Sequence, residues 1–223
     1  MRINFADKIF DVSRENAIKR IVSPNGAKEA NVIHLGACDH IQLIDDKIKH
    51  NVWLHKLLTD HAEHCVGFDI DPESVAYCNS IGWENIYWLD MVNQYEKVYK
   101  ILERLPRWDY LIAGEIVEHL DNPVEFLEKL HHRYAGYIDT IVITVPNAFR
   151  IHGLDGILHG FECINTDHRY WFTPYTICKI AHRAGFSVKE LLYTGVRDVQ
   201  FDNKQYHLEN SLVSTDLILI AGF

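Results

Sequence analysis

The chain reads as an α/β domain: a mostly parallel sheet with helices on both faces. Three observations predict it. Short apolar runs alternate with helical patterns along the 223 residues. The runs at 32–35, 111–113 and 141–145 lack the polar alternation of a strand with one wet face, so both of their faces should be covered. A small-residue turn in NVIHLGACDHI, residues 31–41, is followed by GFDID at 67–71, a strand ending on acids. A tight turn after one strand and a carboxylate after the next is how such a sheet holds a nucleoside cofactor at its strand ends.

The elements follow in order. Strands are expected at 31–36, 64–69, 85–89, 108–114 and 139–145, with helices at 51–61, 72–80, 94–105 and 121–133. Asp71 and Pro72 supply an N-cap and a first-turn proline; Asp121-Asn122-Pro123 does the same later. The first helix is expected only from about residue 51, which makes 39–50 an insertion. Thr173-Pro174 opens a last helix that stops near Gly185, followed by strands at 186–193 and 213–220. The polar link 194–212 holds no good helix, so these two strands should pair antiparallel at the sheet edge. The expected organisation is one domain, 1–223, with 1–30 as an N-terminal helical segment. The long connection 147–173, rich in aromatics and histidines, is expected to be a substrate loop or lid, or else an insertion covering apolar surface.

Composition narrows the function. At 48% apolar the chain can build a core, and a net charge of −9 carries no basic field for nucleic acid. No stretch reaches the ~18 apolar residues of a membrane span. The charged start, MRINFADKIFDVSRENAIKR, lacks a signal-peptide core. The five cysteines have no CxxC spacing, which points to reduced thiols and a cytoplasmic location rather than a disulfide framework or a zinc site.

Several motifs in sequence resemble the class I S-adenosylmethionine-dependent methyltransferases. They are His34-Leu35-Gly36-Ala37-Cys38-Asp39, Asp69-Ile70-Asp71-Pro72, Trp88-Leu89-Asp90-Met91, and WDYLIAGEIVEHLDNPVEFLEKL at 108–130. Pro146-Asn147 and DHRYWFTPYTICKIAHRAGF at 167–186 are similar to a subgroup that includes ubiquinone-type O-methyltransferases. The resemblance implies a seven-stranded Rossmann-like sheet, five parallel strands plus an antiparallel edge pair, and S-adenosyl-L-methionine as cofactor. It assigns Gly36, Ala37, Cys38, Asp69, Ile70, Asp90, Met91 and Glu115 to that cofactor. One departure stands out: His34, Cys38 and His40 occupy positions where the family has an acid and glycines.

The residues themselves support these roles, each beside a plainer one. Asp69 can accept both ribose hydroxyls in charge-assisted bonds, or simply cap the helix at Pro72. Asp90 can accept the adenine amino group, or be a turn aspartate. Glu115, Glu118 and His119 share one face if helical. With His168 they resemble the metal site of small-RNA 2′-O-methyltransferases and could hold Mg, Mn, Fe or Zn. His119 and Glu118 are the catalytic candidates; His119 is otherwise a metal-free base or a packing residue. The expected reaction is O-methylation of a small or medium hydroxyl, first of a sugar or glycan precursor. A phenolic or quinone-like acceptor, an RNA 2′-hydroxyl, and a non-catalytic binding protein are the alternatives. Nucleic acid is disfavoured as a partner, and the oligomeric state is left open.

Overall fold

The computed structural model describes residues 9–10, 12–195, 198–201, 204–207 and 210–223. Five strands follow the predicted order: β2 (Asn31–Leu35), β3 (His64–Asp69), β4 (Ile86–Trp88), β5 (Trp108–Gly114) and β6 (Ile138–Pro146). They are flanked in sequence by β1 (Ile9–Phe10), β7 (Ser187–Thr194) and β10 (Asp216–Gly222). Together they form one sheet in the order β1-β7-β10-β6-β5-β2-β3-β4. The pairings from β4 through β6 are parallel. β10 runs antiparallel to both β6 and β7. The expected seven strands are therefore present, and a two-residue strand, β1, adds to the outer side of β7 in parallel.

Alternate residues of the central strands face two different cores. Ile33, Leu111, Ile141 and Leu217 pack with α5 (Tyr95–Leu102), α6 (Pro123–Tyr134) and α8 (Pro174–Arg183). Val32, Ile112, Val142 and Ile218 pack with α1 (Arg14–Val22) and α3 (Leu54–His61). This is why the strands read as continuous apolar runs. A third cluster, built on Ala37, Ile44, Trp53, Val75, Cys78 and Ile86, lies beneath the turn that follows β2.

One expectation needs correction, and two connections gain detail. The supposed insertion 39–50 is a helix, α2 (Ile41–Lys49), which begins directly after the turn. Its apolar Ile44 and Ile48 point into the third cluster, a short amphipathic pattern obscured by flanking histidines and acids. The connection after β6 contains α7 (Ile151–His159), closed by a left-handed Gly160. The link between β7 and β10 contains a hairpin, β8 (Asp198–Phe201) with β9 (Lys204–His207). No described helix is long and apolar enough to cross a membrane.

The segment after β6 is closed at its base. Asn147 bridges Phe172 in a parallel pair, and Ala148 donates its N–H to the Phe172 carbonyl at 2.8 Å. The fully buried Asn147 side chain donates to the carbonyls of Leu212 (2.7 Å) and Ser214 (2.8 Å) and accepts the Phe149 N–H. Asn147→Ala orphans these groups at about 1–3 kcal/mol each. The expected result is a single cooperative unfolding transition at clearly lower denaturant concentration; an unchanged midpoint would show that the base of the segment does not depend on this side chain.

Candidate active site

β2 lies between β3 and β5, so the strand order reverses at β2 and a crevice opens at the carboxyl ends. A cavity of about 700 Å³ occupies it. Gly36 opens the turn after β2 at φ +69°, a conformation suited to glycine, and a Cβ there would meet Ile116 at 2.9 Å. The Gly36 N–H donates to the Phe68 carbonyl at 2.8 Å, which ties the turn to the end of β3. Asp69 completes the tie: Oδ2 accepts the Cys38 N–H at 2.9 Å and Oδ1 accepts the Asp71 N–H at 3.0 Å. Each oxygen keeps a further lone pair for a ligand hydroxyl. Capping of α4 (Pro72–Ser80) falls to Asp71, whose carboxylate accepts the N–H groups of Glu73 and Ser74. Ile70 is widely exposed and also lines the cavity.

Asp90 and Met91 are placed differently. Neither lines the cavity. The Asp90 carboxylate accepts Val92 N–H at 2.7 Å, Asn93 N–H at 3.0 Å and Asn93 Nδ2 at 2.7 Å, the pattern of a turn aspartate. Met91 is buried, and its carbonyl accepts the Tyr134 hydroxyl at 2.6 Å.

Beyond β5 the chain does not continue as a long helix. Glu115 has φ +54°, and only Val117–His119 form a short 3₁₀ turn. Glu115 therefore leaves the shared face expected for it. Its N–H donates to the Thr144 carbonyl (3.1 Å), and its carboxylate meets Arg14 Nη1 at 3.1 Å and accepts the Thr144 hydroxyl at 3.2 Å. Arg14, on α1, lines the cavity and went unnoticed in the sequence, where nothing marks one arginine in a charged N-terminal stretch.

Glu118, His119 and His168 do come together, with one ligand atom of each within 4.8 Å of the others. His119 and His168 line the cavity; Glu118 is completely buried and does not. Glu118 Oε1 lies 3.9 Å from His119 Nε2 and 4.0 Å from His168 Nε2. Neither Glu118 oxygen has a hydrogen-bond partner, and His168 Nδ1 is likewise buried and unpaired. An orphaned buried carboxylate facing two imidazoles fits a divalent cation. His119 Nδ1 lies 3.2 Å from the Asp167 carbonyl. Donating there fixes the proton on Nδ1 and leaves the Nε2 lone pair for a metal or a proton. Arg169 anchors this strap, its N–H donating to the Glu118 carbonyl at 2.8 Å and its guanidinium pairing with Asp121 at 2.6 Å.

No protein-family model matches the chain, and no curated protein does. Solved structures do. Small RNA methyltransferase HEN1 superposes with a TM-score of 0.57 at 18% identity, covering 100% of this chain and 27% of that one. This chain thus spans about a quarter of that protein's length. The methyltransferase domain of bacterial CtHen1 gives 0.54 at 17% identity, covering 94% and 97%. Magnesium protoporphyrin IX methyltransferase from Synechocystis PCC 6803, with bound SAH, gives 0.54 at 14%, covering 93% and 81%. The fold is that of class I S-adenosylmethionine-dependent methyltransferases. Within this methyltransferase fold, the departures His34, Cys38 and His40 all line the cavity. His34 is buried, its Nδ1 3.3 Å from that of His55. Burial, then the neighbouring His55, pushes its pKa well below the ordinary histidine value, so it is neutral where the family has an acid.

Burial, and then the charge of Glu115, push the Glu118 pKa from 4.5 up to about 9. Between these values the folded chain holds a proton that the unfolded chain has released, so stability falls as pH rises through the window. Glu118→Gln removes the titration. In chelator, the melting temperature of Glu118→Gln should gain steadily on the wild type from about pH 5 to pH 9. A constant offset would mean that Glu118 does not hold the proton.

Proposed function

We propose that the chain transfers the methyl group of S-adenosylmethionine to an acceptor hydroxyl, with a sugar or glycan precursor as the first acceptor class. One observation carries the reading: a single cavity is lined both by the Gly36 turn with Asp69 and by His119 with His168. Asp69 accepts the ribose hydroxyls with the lone pairs left after Cys38 and Asp71. Arg14, paired with Glu15 and Glu115, puts a cation on the wall of the same cavity. The cofactor brings an already activated methyl group, so the chain's task is to hold the acceptor oxygen in line and take its proton. His119 is built for the second part, with Nδ1 committed to Asp167 and Nε2 open.

Glu118, His119 and His168 would hold a divalent ion, which when bound lowers the pKa of a coordinated hydroxyl. The proton on Glu118 must leave first, so metal affinity rises with pH. Without metal, His119 Nε2 serves as the base directly. A second reading takes an RNA 2′-hydroxyl as acceptor. It is supported by the same Glu-His-His cluster and by the likeness to a small RNA methyltransferase, and opposed by the net charge of −9.

A methyl-donor assay read by mass spectrometry, on sugars, phenols and short RNAs with and without chelator, tests acceptor class and metal need together. His119→Ala should cut turnover by about a hundredfold or more while cofactor affinity, measured by calorimetry, stays within a few-fold. Asp69→Ala should do the reverse and weaken cofactor binding at least about tenfold, since hydrogen bonds to a charged group contribute about 1.5–3 kcal/mol each. Absence of S-adenosylmethionine binding under every metal condition would remove the enzyme reading.

A further inference from the structure

We propose that Cys38 and Cys78 form a reversible dithiol site whose oxidation by a peroxide shuts the cofactor turn. Their sulfurs lie 3.8 Å apart, the only sulfur–sulfur contact among the described residues. Cys38 is half-buried on the turn after β2 and lines the cavity; Cys78, on α4, is fully buried beneath it. Both sulfurs are packed, since Cys78 shares the cluster of Ala37, Ile44, Trp53, Val75 and Ile86, and Cys38 packs against that cluster. Cys38 also donates its N–H to Asp69 Oδ2. A bond that draws the Cys38 sulfur inward therefore pulls on the carboxylate assigned to the ribose.

The chemistry balances with peroxide alone as oxidant. The Cys38 sulfur, reached from the cavity, gives two electrons to the peroxide: an S–O bond forms, the O–O bond breaks and one water leaves. Cys78 then attacks the resulting sulfenic acid: the S–S bond forms, the S–O bond breaks and the oxygen leaves as a second water. Exchange with a small thiol reverses it. A disulfide holds its sulfurs about 2 Å apart, so the pair must close to roughly half of its present 3.8 Å. The S–H bond to Cys78, then burial, hold the Cys38 thiol above its ordinary pKa, which makes it a slow thiol that answers sustained oxidant.

Only the effect on the cofactor rests on the methyltransferase reading; the disulfide does not. The full chain is treated with hydrogen peroxide, its remaining thiols are alkylated, and its peptides are mapped by mass spectrometry. S-adenosylhomocysteine binding is measured on reduced and oxidised samples by calorimetry. The expected result is a Cys38–Cys78 linked peptide, with Cys65, Cys163 and Cys178 outside it. The Kd should be at least tenfold weaker after oxidation, about 1.4 kcal/mol, and restored by dithiothreitol. Cys78→Ser, or Cys78→Ala should the serine variant not fold, should keep the reduced affinity and lose the response to peroxide. No linked peptide, or an unchanged Kd in the linked form, overturns the proposal. If the reduced chain binds no S-adenosylhomocysteine, the methyltransferase reading and the gating fail together. The peptide map then decides the dithiol by itself.

Discussion

The reversal of strand order at β2 is the constraint on which the site depends. β3 and β5 flank β2 on opposite sides. The helix that precedes β3, α3, packs on one face of the sheet, while α6, which follows β5, packs on the other. The chain thus leaves neighbouring strands in opposite directions, and the space between cannot be filled by backbone. Polar residues at three strand exits converge there: Cys38 after β2, Asp69 at the end of β3, and Glu115 and His119 after β5. The apolar strands fix where these groups stand, so the geometry of the chemistry is inherited from the packing of the core.

Charge in this crevice is balanced by protons as much as by ion pairs. Arg14 is the cation of a deep group that includes Glu15, Glu115 and Asp216; these acids hold its pKa above the ordinary value against the effect of burial. Burial, then Glu115, raises the Asp216 carboxyl to about 6, and Glu118 takes up a proton altogether. One guanidinium cannot neutralise this many carboxylates in a low dielectric, so the acid farthest from solvent becomes neutral.

The sheet was legible in the sequence because its signals are long and redundant. Three central strands announced double burial by their unbroken apolar runs, and Asp71-Pro72 and Asn122-Pro123 marked helix starts that the structure uses. Short-range signals failed where tertiary contact decides. α2 has no side-chain N-cap bond and only Ile44 fully buried, so neither a cap nor a strong apolar stripe marked it. β1 is two residues long and exists through its pairing with β7. Within the site, His119 and His168 are separated by a long stretch of sequence yet meet at a ring-centroid distance of 4.6 Å. Glu115 departs from the helical register through another tertiary contact: its N–H bonds to Thr144 on the neighbouring β6, and its backbone is left-handed.

The paired base at Asn147 and Phe172 gives the segment between them a particular independence. Its two ends are joined to each other directly after β6 ends, where Asn147 also donates its N–H to the Thr215 carbonyl at 2.9 Å. The entropy of closing such a segment grows slowly with length, about 0.6 kcal/mol for each doubling. Chain length within the segment can therefore vary at small thermodynamic expense, whereas Asn165, which accepts the N–H groups of Asp167 and His168, belongs with the fixed part. The segment is thus a variable insert that begins and ends beside a fixed cavity wall.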